Sequence, residues 1–555
     1  MARAASQQLG EMVEERSGAL MAALLCLFFV ALVGLSASDY LWYDELVILR
    51  VAQLPTWHSI WAFYASGLDT IGLIYALVLH AALHLRADAE ISARLPAILM
   101  DLAALQCVFL FVCRRYPAVY AFAVVLLLMM YPLLTFAVFA KSYTLEIAGL
   151  TFAMLCWQRG TEKSGRIRSA LGVWLGLAVA IYAHSFAIFL LIPFAAAQGA
   201  ADWSRKRLDG KMWAALLLYP AALLPVMRGM LLASRLYGSH FWSQPSSALM
   251  KQTYIDYFQK NWRFMAILLA VALVMPLLAE AQAAEQDTGW PEWTGFSLPE
   301  WVLVSLLALL PMVVLPLSYL LHAYRADYVL AYAIGLALLL VCGLAERAGR
   351  SVFAGAVVCL LFASVTLRVD LKTIPQGVRA LEHPCQVHAR LQTAYDSAPW
   401  VKLLGASDLP VLAGDHLLYT RLDAYAPSQL RSRLYFLTNF AQVDQYPLSD
   451  TSQRNFLLFG AILGYQTMDV GRFLPDHREF LLVVEGTSGG LWLEPYLLKQ
   501  QRMGDATLTF LGPDTDVPSV YGVRFQRLPE FPAAPELRPW RLKLQPWQKG
   551  YPRSR

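Results

Sequence analysis

A chain of 555 residues with 58% hydrophobic and only 15% charged side chains, at a mean hydropathy of +0.47, departs from soluble proteins, where about a quarter of residues are charged. It reads as a polytopic membrane protein. A formal charge of +5 is small for this length and argues for no nucleic-acid partner. The seven cysteines include no CxxC pair, and six sit in apolar runs, where a thiol acts as a small hydrophobe.

In chain order, Arg3 and Arg16 precede the apolar run Ala19–Leu35. The layout resembles a signal peptide, but the only small-residue site is Ser36-Ala37-Ser38 and many more spans follow, so an uncleaved first helix is expected. Runs of about 20 mostly apolar residues fall at 18–36, 95–113, 117–135, 142–158, 169–185, 186–200, 212–232, 263–280, 300–320, 327–345 and 351–368. About eleven spans are expected, up to thirteen at most.

The stretch Ile71–Leu85 is apolar but short and interrupted by His80 and His84. If it lies in the membrane interface, the basic clusters Arg114/Arg115, Lys163/Arg166/Arg168, Arg205/Lys206/Arg207/Lys211 and Arg347/Arg350 all fall on the side of the N-terminus. That arrangement obeys the positive-inside rule. It makes the N-terminus cytoplasmic and 36–94 one long external loop; only the acidic loop 281–299 resists it. Asp44-Glu45, the turn 136–143, His184, 234–263, 322–325 and everything after 369 then share the external face. A multi-pass protein, of bacterial inner-membrane type, with a periplasmic C-terminal domain is the expected layout.

The composition turns soluble near 370, so the expected domains are 1–368 and 369–555. In the second, Leu409–Gly414, Phe480–Gly486, Ala506–Leu511 and Val520–Phe525 read as strands, and Pro427–Leu437 and Leu493–Gln501 as helices. The alternation predicts a small α/β domain with a mixed or parallel sheet. No GxGxxG or Walker pattern is present.

The strongest chemical signal is Trp42-Tyr43-Asp44-Glu45, directly after the first span. Two adjacent carboxylates at a membrane edge are a functional-site hypothesis; the alternatives are a solvated helix end for both and a capping role for Glu45. With Asp69, Ile74-Tyr75-Ala76-Leu77, Ala93-Arg94-Leu95-Pro96, Cys113-Arg114-Arg115-Tyr116, Ala140-Lys141-Ser142-Tyr143, Tyr182-Ala183-His184 and Tyr324-Arg325-Ala326-Asp327-Tyr328, the order resembles the GT-C superfamily of membrane glycosyltransferases. The nearest group in this respect is the family-39-like one of protein O-mannosyltransferases and lipid A aminoarabinose transferases.

That resemblance implies a polyprenyl-phosphate-linked sugar donor, an external lipid, glycan or protein acceptor, and a first-loop acid as base. Asp44 matches the base, with Glu45 beside it. Lys141 stands where the family carries Arg in an Arg-x-Tyr element, with Tyr143 matching the Tyr; Lys offers a point charge rather than a fork. Both Lys141 and Arg325 are candidates to meet the phosphate, or, for Lys141, to be a snorkelling anchor. Asp69 precedes a stretch that lacks the family's prolines and is a substrate-binding candidate or a helix N-cap. His184 and His80 are candidates to bind sugar or metal, or are packed core residues. No HExxH-like spacing occurs, so no metal and no cofactor is expected. Surrounding membrane lipids complete the expected partners. The competing readings are a lipid-linked sugar transporter or a non-catalytic component of cell-envelope glycan assembly.

Overall fold

In a hydrocarbon environment an apolar run satisfies its backbone by forming intrahelical bonds, and each predicted apolar stretch carries a helix. The computed structural model describes residues 13–67, 72–85, 87–162, 167–237, 243–274, 293–440, 451–485, 492–513 and 518–529. Among these, Ser17–Ser36, Ala89–Cys113, Ser185–Arg205 and Gly210–Ser234 are long and apolar enough to cross a membrane alone. Two bent pairs, Leu298–Ala308 with Leu310–Leu321 and Val352–Arg368 with Thr373–Glu382, raise the number to six by length and composition. Other apolar stretches expected to span carry shorter helices among the described residues. Ala118–Leu128, at 11 residues, reaches only about 16 Å along its axis, half of a ~30 Å hydrocarbon core. Leu73–Ala82, 10 residues, is likewise too short to cross. The protein is a multi-pass helical membrane protein with a smaller mixed α/β part.

Two compact units emerge, one comprising Met1–Ser38, Pro55–Leu231 and Ser243–Cys385, the other Asp39–Leu54, Leu232–Trp242 and Gln386–Arg555. The division therefore differs from the expected one in two ways. Helix Val352–Glu382 continues through residue 368, since the end of an apolar run marks where membrane contact stops and not where helical bonding stops. Part of the first loop, Asp39–Leu54, belongs with the C-terminal residues.

In the helical unit, glycines set the closest crossings. A methyl group at Gly149 would stand 2.5 Å from the carbonyl oxygen of Gly176, and one at Gly377 would stand 1.9 Å from that of Val30. Small residues allow such backbone approach between helices. Polar groups collect at opposite ends of the same helices. At one end Arg115 Nε donates to Glu300 Oε1 at 2.8 Å, Gln158 Nε2 to the same oxygen at 2.7 Å, and Tyr116 to Glu346 at 2.7 Å. At the other lie Tyr143, His184 and Asp327. Helix Tyr143–Glu162, 20 residues long, separates the two ends by about 30 Å.

The C-terminal unit holds β1 (Val411–Ala413), β2 (Leu434–Thr438), β3 (Thr467–Asp469), β4 (Glu479–Val484), β5 (Ala506–Gly512) and β6 (Ser519–Phe525) in the order β3-β2-β1-β4-β6-β5. Strands β1 to β4 are mutually parallel and β6 runs antiparallel to β4 and β5, a mixed sheet. Alternation puts Leu412, Leu437 and Leu482 in a core with Phe473, Trp492 and Tyr496, while Phe436 meets Tyr419 and Phe456. Helices thus cover both faces. The expected helix Pro427–Leu437 is corrected: only Ser428–Arg431 is helical, and the apolar run after it is β2. Buried pairing with β1 decides the state of a segment whose short apolar pattern fits either. Arg433, directly before β2, donates to the carbonyl of Leu404 at 2.6 Å.

Candidate active site

One set of candidate groups sits at the end of the helical unit opposite Arg115. His184 caps the 3-10 turn Ser185–Leu190 with extended backbone, its Nδ1 accepting the Phe186 N–H at 3.2 Å. An accepting Nδ1 puts the neutral ring's proton on Nε2. That nitrogen is buried without a partner among the described residues, and the residue is 1% exposed. The ring lies 5.8 Å from that of Tyr143, nearly parallel, and 4.6 Å from Tyr328. Ser142 Oγ ties this turn down through the Ala183 carbonyl at 2.7 Å.

Tyr143 donates its phenol to Asp327 Oδ2, and Arg325 Nε donates to Asp327 Oδ1 at 2.7 Å. The Asp327 carboxylate is thus held from both oxygens, by the Arg325 guanidinium on one and the Tyr143 phenol on the other. The Lys141 ammonium lies 5.9 Å from the Tyr143 ring centre, within cation–π range. Four sequence candidates, Lys141, Tyr143, His184 and Arg325, are thereby brought together. Asp327, which joins them, was present in the Tyr324–Tyr328 stretch but not singled out; an acid two residues after an Arg at a helix start was its only sequence signal.

Asp44 and Glu45 belong to the other unit. They occupy the first turn of helix Tyr43–Ala52, whose N-cap Trp42 is extended. Trp42 N–H donates to Glu45 Oε2 at 2.7 Å, and Glu45 is fully buried. Glu45 thus has the capping geometry that was its alternative reading; Asp44 keeps partial exposure. The helix lies along His416–Tyr425. Tyr43 meets His416 edge-on, ring centres 4.7 Å apart, and seven residues on Arg50 pairs with Asp423 at 3.1 Å. Starts meet starts and ends meet ends, so the two helices run parallel and bring two positive dipole ends together at Asp44.

Asp69 lies outside the described residues. His80 packs against Trp57 and His84, at ring separations of 5.0 and 5.8 Å. Among the described residues no three His, Cys, Asp or Glu side chains are grouped to hold a metal.

No family model matches the sequence, and no curated protein matches it. The fold is similar to that of a solved structure of ArnT. The crystal structure of ArnT from Cupriavidus metallidurans bound to undecaprenyl phosphate aligns at a TM-score of 0.50 and 14% identity, over 91% of this chain and 97% of that one. The crystal structure of the same ArnT in the apo state aligns over the same shares at 14% identity and a TM-score of 0.40.

Proposed function

We propose that the protein is an integral membrane glycosyltransferase of the bacterial inner membrane. In this reading it moves a sugar from a polyprenyl-phosphate donor to a lipid, glycan or protein acceptor on the external face, with inversion at the anomeric carbon. The acceptor hydroxyl attacks that carbon, the bond to the phosphate oxygen breaks with its electron pair, and Asp44 takes the hydroxyl proton. Lys141 and Arg325 meet the charge that grows on the leaving phosphate, and His184 offers its Nε2 proton to a substrate oxygen. Glu45 holds the turn that presents Asp44.

The observation that carries this reading is the cluster of Lys141, Arg325 and His184, two cations and a buried donor with no partner among the described residues, around the carboxylate of Asp327, with Glu146 buried one turn along the helix from Tyr143. Such a site favours an anion. The fold shared with a protein crystallised with undecaprenyl phosphate supports a lipid phosphate as that anion. Purified protein supplied with a panel of polyprenyl-phosphate sugars should show thermal stabilisation by at least one of them and transfer to an added acceptor. Asp44→Asn should abolish transfer with the melting temperature retained, and full transfer by that variant would remove Asp44 as base.

A further inference from the structure

The sheet order β3-β2-β1-β4 reverses direction at β1, whose two neighbours are both parallel to it. In such sheets the crevice outside the carboxyl ends of the strands at the switch point is where ligands are handled. Directly after β1 come Gly414, Asp415 and His416, and directly after β4 comes Glu485. The first-loop helix Tyr43–Ala52 lies with its N-terminal turn at this point, Tyr43 against the His416 ring. His416 Nδ1 is buried with no partner among the described residues, although the residue as a whole keeps partial exposure.

We propose that His416, set against the helix turn that carries Asp44, is a proton relay for it, passing to water the proton that Asp44 removes from the acceptor. The inference rests on the reading of Asp44 as the base. In the relay, the acceptor O–H bond breaks as the sugar–oxygen bond forms, the electron pair of the cleaved anomeric bond leaves on phosphate, and the proton passes from Asp44 to the neutral imidazole and then to solvent. Nothing is oxidised or reduced.

The charges around the ring suit the role. Arg50 on the first-loop helix is paired with Asp423, and Arg421 with Glu485. On the other packed helices, His388 lies against Tyr425 at the far end of His416–Tyr425, and Arg454 lies over Phe440. The carboxylates whose field reaches the imidazole are Asp415 and Asp44. Burial, the largest influence, keeps the ring more easily deprotonated than usual, and both carboxylates work against it. A neutral imidazole is a competent proton acceptor.

The side-chain NMR signal of His416, assigned by its loss in His416→Gln, tests the coupling without any turnover. Its titration midpoint should move down in Asp44→Asn; an unmoved midpoint overturns the proposal. In transfer assays His416→Gln should lower kcat about tenfold with the donor KM unchanged, and the acid limb of its pH profile should lose one ionisation. A wild-type kcat and profile in a folded His416→Gln protein would also overturn it. If Asp44→Asn is fully active, the base assignment fails; if Asp44→Asn is dead while His416→Gln is normal, only the relay fails. Should His416→Gln not fold, His416→Asn takes its place, both in assigning the signal for the titration and in the transfer assay.

Discussion

Tyr143 and Asp327 stand 184 residues apart and share one hydrogen bond, the phenol donating to a carboxylate that Arg325 also holds. The bond pins the start of one helix to the turn before another. Removing the carboxylate takes a hydrogen-bond acceptor from both the guanidinium and the phenol. Asp327→Ala should destabilise the protein by about 2–4 kcal/mol, somewhat less than a fully buried pair, because the Arg325 side chain is 35% exposed. Chemical denaturation in detergent measures this, and an unchanged midpoint would count against the pairing.

Lys141 provides charge without a fixed fork. Replacing it by Met, which keeps length but not charge, should raise the donor KM at least tenfold, while Lys141→Arg should retain most activity. Equal loss in both variants would mean that shape rather than charge matters at this position.

The proposed mechanism gives the two adjacent carboxylates different roles. Glu45→Gln keeps an oxygen to accept the Trp42 N–H and should leave transfer nearly intact. Glu45→Ala loses the cap at a cost of about 1 kcal/mol and should lower stability more than kcat. Asp44→Asn should do the reverse. Thermal melts read beside initial rates distinguish these patterns.

His416 predicts a pH dependence of stability. Its value in the folded chain lies below the ordinary 6.5, so under acid conditions the unfolded chain binds a proton that the folded chain refuses. The contribution is fully present above about pH 6.5 and is lost as pH falls below it. His416→Asn should flatten the fall in denaturation midpoint between about pH 7 and pH 5; an identical slope in the variant would refute the prediction.

The apolar runs were readable because lipid leaves a hydrophobic stretch few alternatives to a helix. Asp44 stood out because a carboxylate pair at a membrane edge is costly without a use. Asp327 did not, since what distinguishes it is its bond to Tyr143, a relation created by folding. The membership of Tyr43–Ala52 in the C-terminal unit was equally hidden: Arg50 meets Asp423 across 373 residues, and no local pattern marks such a pairing. Strand β2 was read as a helix because Pro427 is a good helix opener and the apolar residues after it fit either period.

The side-by-side packing of Tyr43–Ala52 with His416–Tyr425 has a consequence for biogenesis. From Ala52 to His416 the ribosome must add 364 residues, 416 minus 52, which at 5–20 residues per second takes roughly 20–70 s. Throughout that interval the segment bearing Asp44 has been made, yet the helix it docks on does not exist. The nascent chain therefore passes through membrane insertion with this segment unpaired, and a truncated product lacking residues beyond 416 leaves it so.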